Sequence, residues 1–361
     1  MTSSEPDVLV IGAGVSGLTT AVCLAEAGAA VKISAALPPG RTTSAVAGAI
    51  WGPHLVGLDD RVERWGATTL ARLLELTAGP AAGPAGVRMV TGRQACRTVA
   101  DPPGWAASLD GFRLCADGEL PEGFASGWRF TAPVMTMPVY LGYLLARFRA
   151  AGGELDAGGE PGAGDEPGAA GPSGQLHGGH TFGSLDEAIA STTAGVIVNC
   201  SGMGARGLVP DAEMLPVRGQ VVVTVNPGIT EFFIGLGDES AGLIYLFPHA
   251  GTVVVGGTEE RGSWRLEPDP ATAERILRDA VAIEPRLRGA GIVAHRVGLR
   301  PVRPAVRLEA EALAGGRTLV HNYGHGGAGV TLSWGCAADA AGLALGALGA
   351  LGAPVRPAPP D

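Results

Sequence analysis

Apolar residues recur along this chain in two rhythms. Short apolar stretches at 8–11 and 195–199 have the character of buried strands, and 30–34 reads as another strand. The first is followed by Gly12, Gly14 and Gly17, and then by an Ala- and Leu-rich stretch that predicts a helix over 19–27. Strand, glycine turn, helix and the strand at 30–34 together make one βαβ unit. Helical periodicity predicts further helices at 60–76 (Val62, Trp65, Leu70, Leu73, Leu74), 138–151 (Tyr140, Leu144, Leu145, Phe148) and 270–282 (Ala273, Ile276, Leu277, Ala280, Val281). Alternating, β-branched stretches at 87–114, 127–131, 215–225 and 243–258 predict antiparallel strands. A last strand at 319–322 leads into a second glycine-rich turn, 323–331, and a helix over 332–345.

This order predicts an α/β protein: a Rossmann-like nucleotide-binding domain and a second, α+β substrate domain built on a large mixed or antiparallel sheet. The nucleotide domain is expected to be discontinuous, spanning 1–55, 180–212 and 296–355. The substrate domain is expected over 56–151 and 213–295. Residues 152–179, rich in Gly, Ala, Pro, Asp and Glu, bury too little apolar area to order themselves. They are expected to be a flexible, dispensable surface insertion.

Composition narrows the partners. A net charge of −9 argues against nucleic acid. No apolar run reaches the roughly 18 residues of a membrane span without glycine or charge interrupting it, and the start of the chain has no basic leader, so a cytoplasmic enzyme is expected. Cys23, Cys96, Cys115, Cys200 and Cys336 are scattered without a C-x-x-C pair, which predicts free thiols in a reducing compartment and no metal site.

The chemistry concentrates in a few stretches. Gly12 permits a tight turn, Gly14 lets backbone approach a pyrophosphate, and Gly17 lets the helix pack on the strand. The acid expected at the end of the second strand is missing, since 34–36 reads Ser-Ala-Ala. Ser34 can take part of that role, and Arg41 is either a phosphate contact or a solvated surface arginine. The small, hydroxyl-rich segment 42–51 either lets a flat ring approach the backbone or is a plain loop entering a strand. Of the arginines in 297–307, Arg303 and Arg307 read as ion-pair partners and Arg300 as a ligand for a carboxylate, held in place by neighbouring prolines. The second glycine turn cannot serve phosphates already served by the first. Its backbone N–H groups suit the negative charge that a reduced flavin carries at its pyrimidine end. His321 and His325 read as structural or flavin-shell residues.

These residues resemble the D-amino-acid oxidase family of FAD-dependent amine oxidoreductases. The resemblance rests on HNYGHGGAGVTLSWGC at 321–336, GLRPVRP at 298–304, VNCSG at 198–202 and GLIYLFP at 242–248. It implies FAD as cofactor, held by Gly12, Gly14, Val15, Ser16, Gly17, Ser34, Arg41, Thr43, Ser44, Gly48, Ala49, Ile50, Phe182, Ser201, Gly202, Arg300, Gly326, Gly327, Gly329, Val330 and Thr331, with Thr331 bonding the flavin O2. It implies that Arg300 and Tyr245 grip a substrate carboxylate and that the Gly327 backbone lies by the amine. The implied reaction passes a hydride from Cα to the flavin, then to oxygen, giving a 2-oxo acid, ammonia and hydrogen peroxide. A homodimer is compatible with this reading. One departure is clear: 224–242 lacks the family's further active-site tyrosine and offers only Phe232 and Phe233. With no second site arginine evident, neutral D-amino acids are expected rather than D-aspartate.

Overall fold

The computed structural model describes residues 5–116, 118–158, 182–237 and 242–351. Most of the expected insertion, and the tip of the loop before residue 242, lie outside the described residues. The helices that matter below are α1 (Val15–Glu26), α2 (Thr43–Val46), α3 (Asp60–Ala78), α4 (Met137–Ala150), α5 (Leu185–Ala190), α6 (Pro270–Ile283) and α7 (Gly329–Ala350).

The nucleotide half is a parallel sheet. β1 (Val8–Ile11) lies between β2 (Val31–Ala35) and β7 (Val196–Asn199). Every residue of β1 and β7 is buried, as helices on both faces require and as their apolar runs foretell. β14 (Thr318–His325) continues the sheet beside β7. The substrate half is mostly antiparallel: β3 (Val87–Cys96), β4 (Arg113–Leu114), β5 (Ser126–Met135), β8 (Leu215–Val225), β9 (Phe232–Leu236), β10 (Leu243–Pro248), β11 (Thr252–Gly256) and the short β12 (Glu260–Arg261), with β3 and β9 parallel.

The two halves are not separate sheets. β13 (Ile292–Ala312) pairs antiparallel with β8 along its first part and with β14 along its second. The register shifts between Val302 and Arg307, where Pro304 cannot donate to a ladder. The strand order β4-β5-β3-β9-β10-β11-β8-β13-β14-β7-β1-β2-β6, with β6 at Glu154–Ala157, is therefore continuous, and the boundary expected at residue 296 falls inside a strand.

Several local expectations change. α1 starts at Val15 rather than residue 19, and α7 at Gly329 rather than 332. Glycines in a first helical turn read as loop in the sequence, but packing overrides their low propensity. β14 runs on through His325, so the second turn shortens to 326–328. Residues 43–46 form a helical turn, not a loop entering a strand. β9 has no counterpart in the sequence reading. Leu74, expected on the buried face of α3, is 41% exposed. α7 is long and apolar enough to cross a membrane by length and composition, yet most of it is buried against neighbours such as α1, α3 and β14.

The largest correction concerns the expected insertion. Its first residues form β6 (Glu154–Ala157), a strand parallel to β2 with Ser34 opposite Asp156. Gly153 is needed there, because a Cβ would overlap the Phe148 ring on α4. Excising 152–179 is accordingly expected to lower the melting temperature by several degrees, because it strips an edge strand from the sheet; a thermal melt of that deletion checks this.

Candidate active site

Two of the solvent-facing helices carry aspartate side-chain caps. Asp59 accepts from Val62 N (2.8 Å) at α3, and Asp269 from Thr272 N (2.9 Å) at α6. Such caps are worth about 1 kcal/mol each. α1 and α7 have no cap of this kind and no acidic residue in the first turn. Their N-termini also lie side by side: a Cβ on Gly329 would be 4.0 Å from Val15 Cγ1. Two positive dipole ends therefore stand together with no carboxylate of their own, an arrangement that favours anionic groups.

The first turn is as tight as its glycines imply. Gly12 has φ 108°, and a Cβ there would sit 2.5 Å from Cys200 O at the end of β7. A Cβ on Gly17 would overlap Gly12 O, while one on Gly14 would lie 3.1 Å from Ser44 Oγ. That hydroxyl accepts from Val15 N (3.0 Å), which draws the segment 43–50 onto the helix start. Leu18 N makes the first helical bond, to Gly14 O. Ser16 and Gly17 thus carry the first-turn N–H groups that lie beyond the reach of any i−4 carbonyl in the helix. Ser201, beside this turn, spends its hydroxyl on Asn199 Oδ1 (2.7 Å), and Gly202 turns the chain with φ 57°.

Farther out, Ser34 is buried at the end of β2 and Arg41 ends a short 3-10 turn, half-buried. Ser34 and Phe182 help to line a cavity of about 330 Å³. Asp156, on the adjoining β6, lines it too, bonded to Lys32 (3.2 Å). This carboxylate was invisible in the sequence because it sits at the start of the low-complexity run.

The second turn fits closely against residues 48–55. Gly326, with φ 57°, passes so near Leu55 that a Cβ would overlap its carbonyl oxygen. Gly326 N donates to Pro301 O (2.9 Å) and Gly327 N to His54 O (3.1 Å), so both groups are engaged. Thr331 Oγ1 donates to Gly52 O (2.9 Å) and accepts from Gly52 N (3.1 Å). What Thr331 offers a ligand is its backbone N–H, together with those of Gly329 and Val330. Gly327 itself is exposed between buried Gly326 and Ala328. Ala49 holds a left-handed φ of 55° and Ile50 bridges to Val134, fixing this loop to β5.

Arg300 sits on β13 and donates from Nη1 to Thr258 O (2.9 Å). It joins none of the ion pairs among the described residues, whereas Arg303 pairs with Asp211 and Glu213, and Arg307 with Glu309 and Glu311. Two glycines make its room. A Cβ on Gly219 would lie 2.6 Å from Arg300 Nη1, and one on Gly256 would overlap the Tyr245 hydroxyl. Tyr245 is buried and stacks on Phe247 (4.7 Å between centroids). Burial pushes its phenol up, opposed by the nearby Arg300 charge, so it stays a neutral donor. Gly48 packs on the same two rings, 2.6 Å from Phe247 Cδ2 if it bore a Cβ. Phe232 and Phe233 do not replace the missing tyrosine, because both are buried, packed against Phe130 and Phe124.

Both histidines, expected to be structural or flavin-shell residues, have partners within the protein. His325 is buried with Nε2 3.0 Å from Asn322 Oδ1, and burial pushes its pKa down to about 4. His321 lies between Asn199 and Glu311, and burial lowers its pKa also. Sequence reasoning missed a different pair: His54 Nε2 lies 2.9 Å from Glu259 Oε1.

A match to the family model described as "FAD dependent oxidoreductase" covers residues 7–343. The chain is 48% identical over 337 residues to a D-amino-acid oxidase of Rubrobacter xylanophilus, covering 93% of this chain and 95% of that protein. It is 35% identical to a human D-aspartate oxidase, covering 93% and 94%. The crystal structure of glycine oxidase from Geobacillus kaustophilus superposes with a TM-score of 0.72 at 18% identity, over 95% of each chain, and shares the fold.

Because His325 stays neutral when folded but titrates near 6.5 when unfolded, the unfolded chain binds the extra proton between those values. Stability present above pH 6.5 is lost as pH falls towards 4, by on the order of 3 kcal/mol for this residue. Melting temperatures across that range, compared with His325→Gln, should show a shallower acid slope in the variant. Placing a methyl beside Gly12, by Gly17→Ala, is expected to leave protein without bound flavin, read by flavin absorbance after desalting.

Proposed function

The chain belongs to the family of FAD-dependent oxidoreductases, and from that premise we propose that it deaminates D-amino acids oxidatively. FAD is its cofactor, and the cradle suits it: two adjoining uncapped helix N-termini, and glycines whose Cβ atoms would fill the space. Gly12, Gly14, Ser16, Gly17 and Ser44 would hold the pyrophosphate, and the 329–331 backbone the flavin's pyrimidine end.

The observation that carries the reading is Arg300. A guanidinium in no ion pair among the described residues, fixed by a strand and by Thr258 O, stands beside a neutral tyrosine hydroxyl. That pair binds an α-carboxylate from two directions. Exposed Gly327, joined to His54 through its N–H, lies open where an amine can approach its carbonyl. Holding both groups of an amino acid fixes which face of Cα is presented, and such positioning is the protein's main catalytic contribution. When bound, FAD supplies the acceptor for a hydride from Cα. No side-chain base is needed, in keeping with the structural roles of His321 and His325. With oxygen as final acceptor, the products are hydrogen peroxide and an imino acid that hydrolyses to a 2-oxo acid and ammonia. Five free thiols support a reducing, cytoplasmic setting.

The absence of a second site arginine favours neutral over acidic substrates. A second reading, a dehydrogenase passing electrons to another acceptor, is favoured by the missing tyrosine; dye reduction without peroxide would establish it. Arg300→Ala is expected to keep bound flavin and to lower kcat/KM for D-alanine by about a hundredfold, the loss of roughly 3 kcal/mol of charge-assisted bonding. A peroxide-coupled assay with D- and L-amino acids tests both statements, and an unchanged KM in the variant would remove Arg300 from the role.

A further inference from the structure

A second charged group stands beside Arg300, unused by the mechanism above. Glu259 directly follows Thr258, whose carbonyl holds the Arg300 guanidinium. Its carboxylate is 29% exposed and lies 2.9 Å from His54 Nε2. His54, then burial in the opposite sense, then the charges of His54, Arg300 and Arg261 set its acidity, and the net effect holds it below the usual carboxylate range. Glu259 is thus an anion at working pH. His54 links it to the exposed turn: its carbonyl accepts from Gly327 N, and a Cβ on Gly327 would come within 2.5 Å of its Cδ2. Tyr245, Arg300, Glu259, His54 and Gly327 therefore form one connected rim.

We propose that Glu259 sets the side-chain preference of this site, favouring D-amino acids with a cationic side chain, such as D-lysine and D-arginine, over those with an acidic one. The inference rests on the reading of Arg300 as the α-carboxylate anchor. In the free protein Arg300 offsets the Glu259 charge. Once a substrate carboxylate takes Arg300, that offset is spent. Glu259 is left with a histidine, charged only if protonated, and with Arg261 on the exposed β12. A second carboxylate on the substrate then meets a like charge on a partly exposed side chain, where salt screens the repulsion only in part. An ammonium or guanidinium instead gains an ion pair, and electrostatic complementarity of this sort decides between ligands more than it adds affinity.

The test is kcat/KM for D-arginine, D-lysine, D-alanine and D-aspartate with the FAD-loaded protein and its Glu259→Gln variant, in low salt and in high salt. The near-isosteric amide keeps the volume and removes the charge. The wild type should favour D-arginine or D-lysine over D-aspartate by about a hundredfold or more, less so in high salt. In the variant the ratio of D-arginine to D-aspartate should fall at least about tenfold. A wild type that oxidises D-aspartate as well as D-lysine, or a variant that slows every substrate by one common factor, would overturn the proposal and leave Glu259 as a prop for His54. Failure of the wild type to oxidise even D-alanine would instead sink the oxidase reading beneath it.

Discussion

One strand holds the chemistry in register. β13 donates and accepts along β8 on one side and β14 on the other. Arg300 lies opposite Val217 of β8, and two residues later Val302 lies opposite His325, the last residue before the second glycine turn. The carboxylate anchor and the start of α7 are therefore parts of one ladder. Their separation is fixed by backbone hydrogen bonds, not by a hinge or by packing between two domains. A shift of one residue in this strand would turn Arg300 to the opposite face and move it away from Tyr245.

The second constraint is volume. Where the two halves meet, side chains are repeatedly absent for steric cause. Gly219 makes room for Arg300, Gly256 for Tyr245, Gly48 for the stacked Tyr245 and Phe247, and Gly327 for His54. None of these four glycines has a left-handed backbone; they are required because another group already occupies the Cβ position. The site is in this sense cut into the sheet by glycine, and large functional side chains fill the cuts.

Much of this could be read from the residue pattern. The βαβ unit, the two glycine turns, the buried return strand at β7, the ion-pairing of Arg303 and Arg307 and the isolation of Arg300 all follow from local signals. Errors came where local and tertiary preferences disagree. Both uncapped helices begin earlier than their periodicity because glycine disguises a first turn. β6 was hidden in a stretch whose composition reads as disordered, although pairing with β2 orders it. β9 and the single-sheet architecture depend on long-range partners that no window of sequence contains. His54 and Glu259 carry no local signal, since neither falls in a motif of the sequence. Only the fold brings together residues separated by about two hundred positions.

The central position of β14 carries a consequence for biogenesis. This strand fills the gap between β13 and β7, and α7 leaving it completes the cradle that β1 and α1 begin. During synthesis β1 emerges some three hundred residues before the piece that closes the sheet's middle. Until β14 arrives, β7 keeps an unpaired edge. Flavin capture must therefore wait until β14 and the start of α7 have been made, long after the first glycine turn.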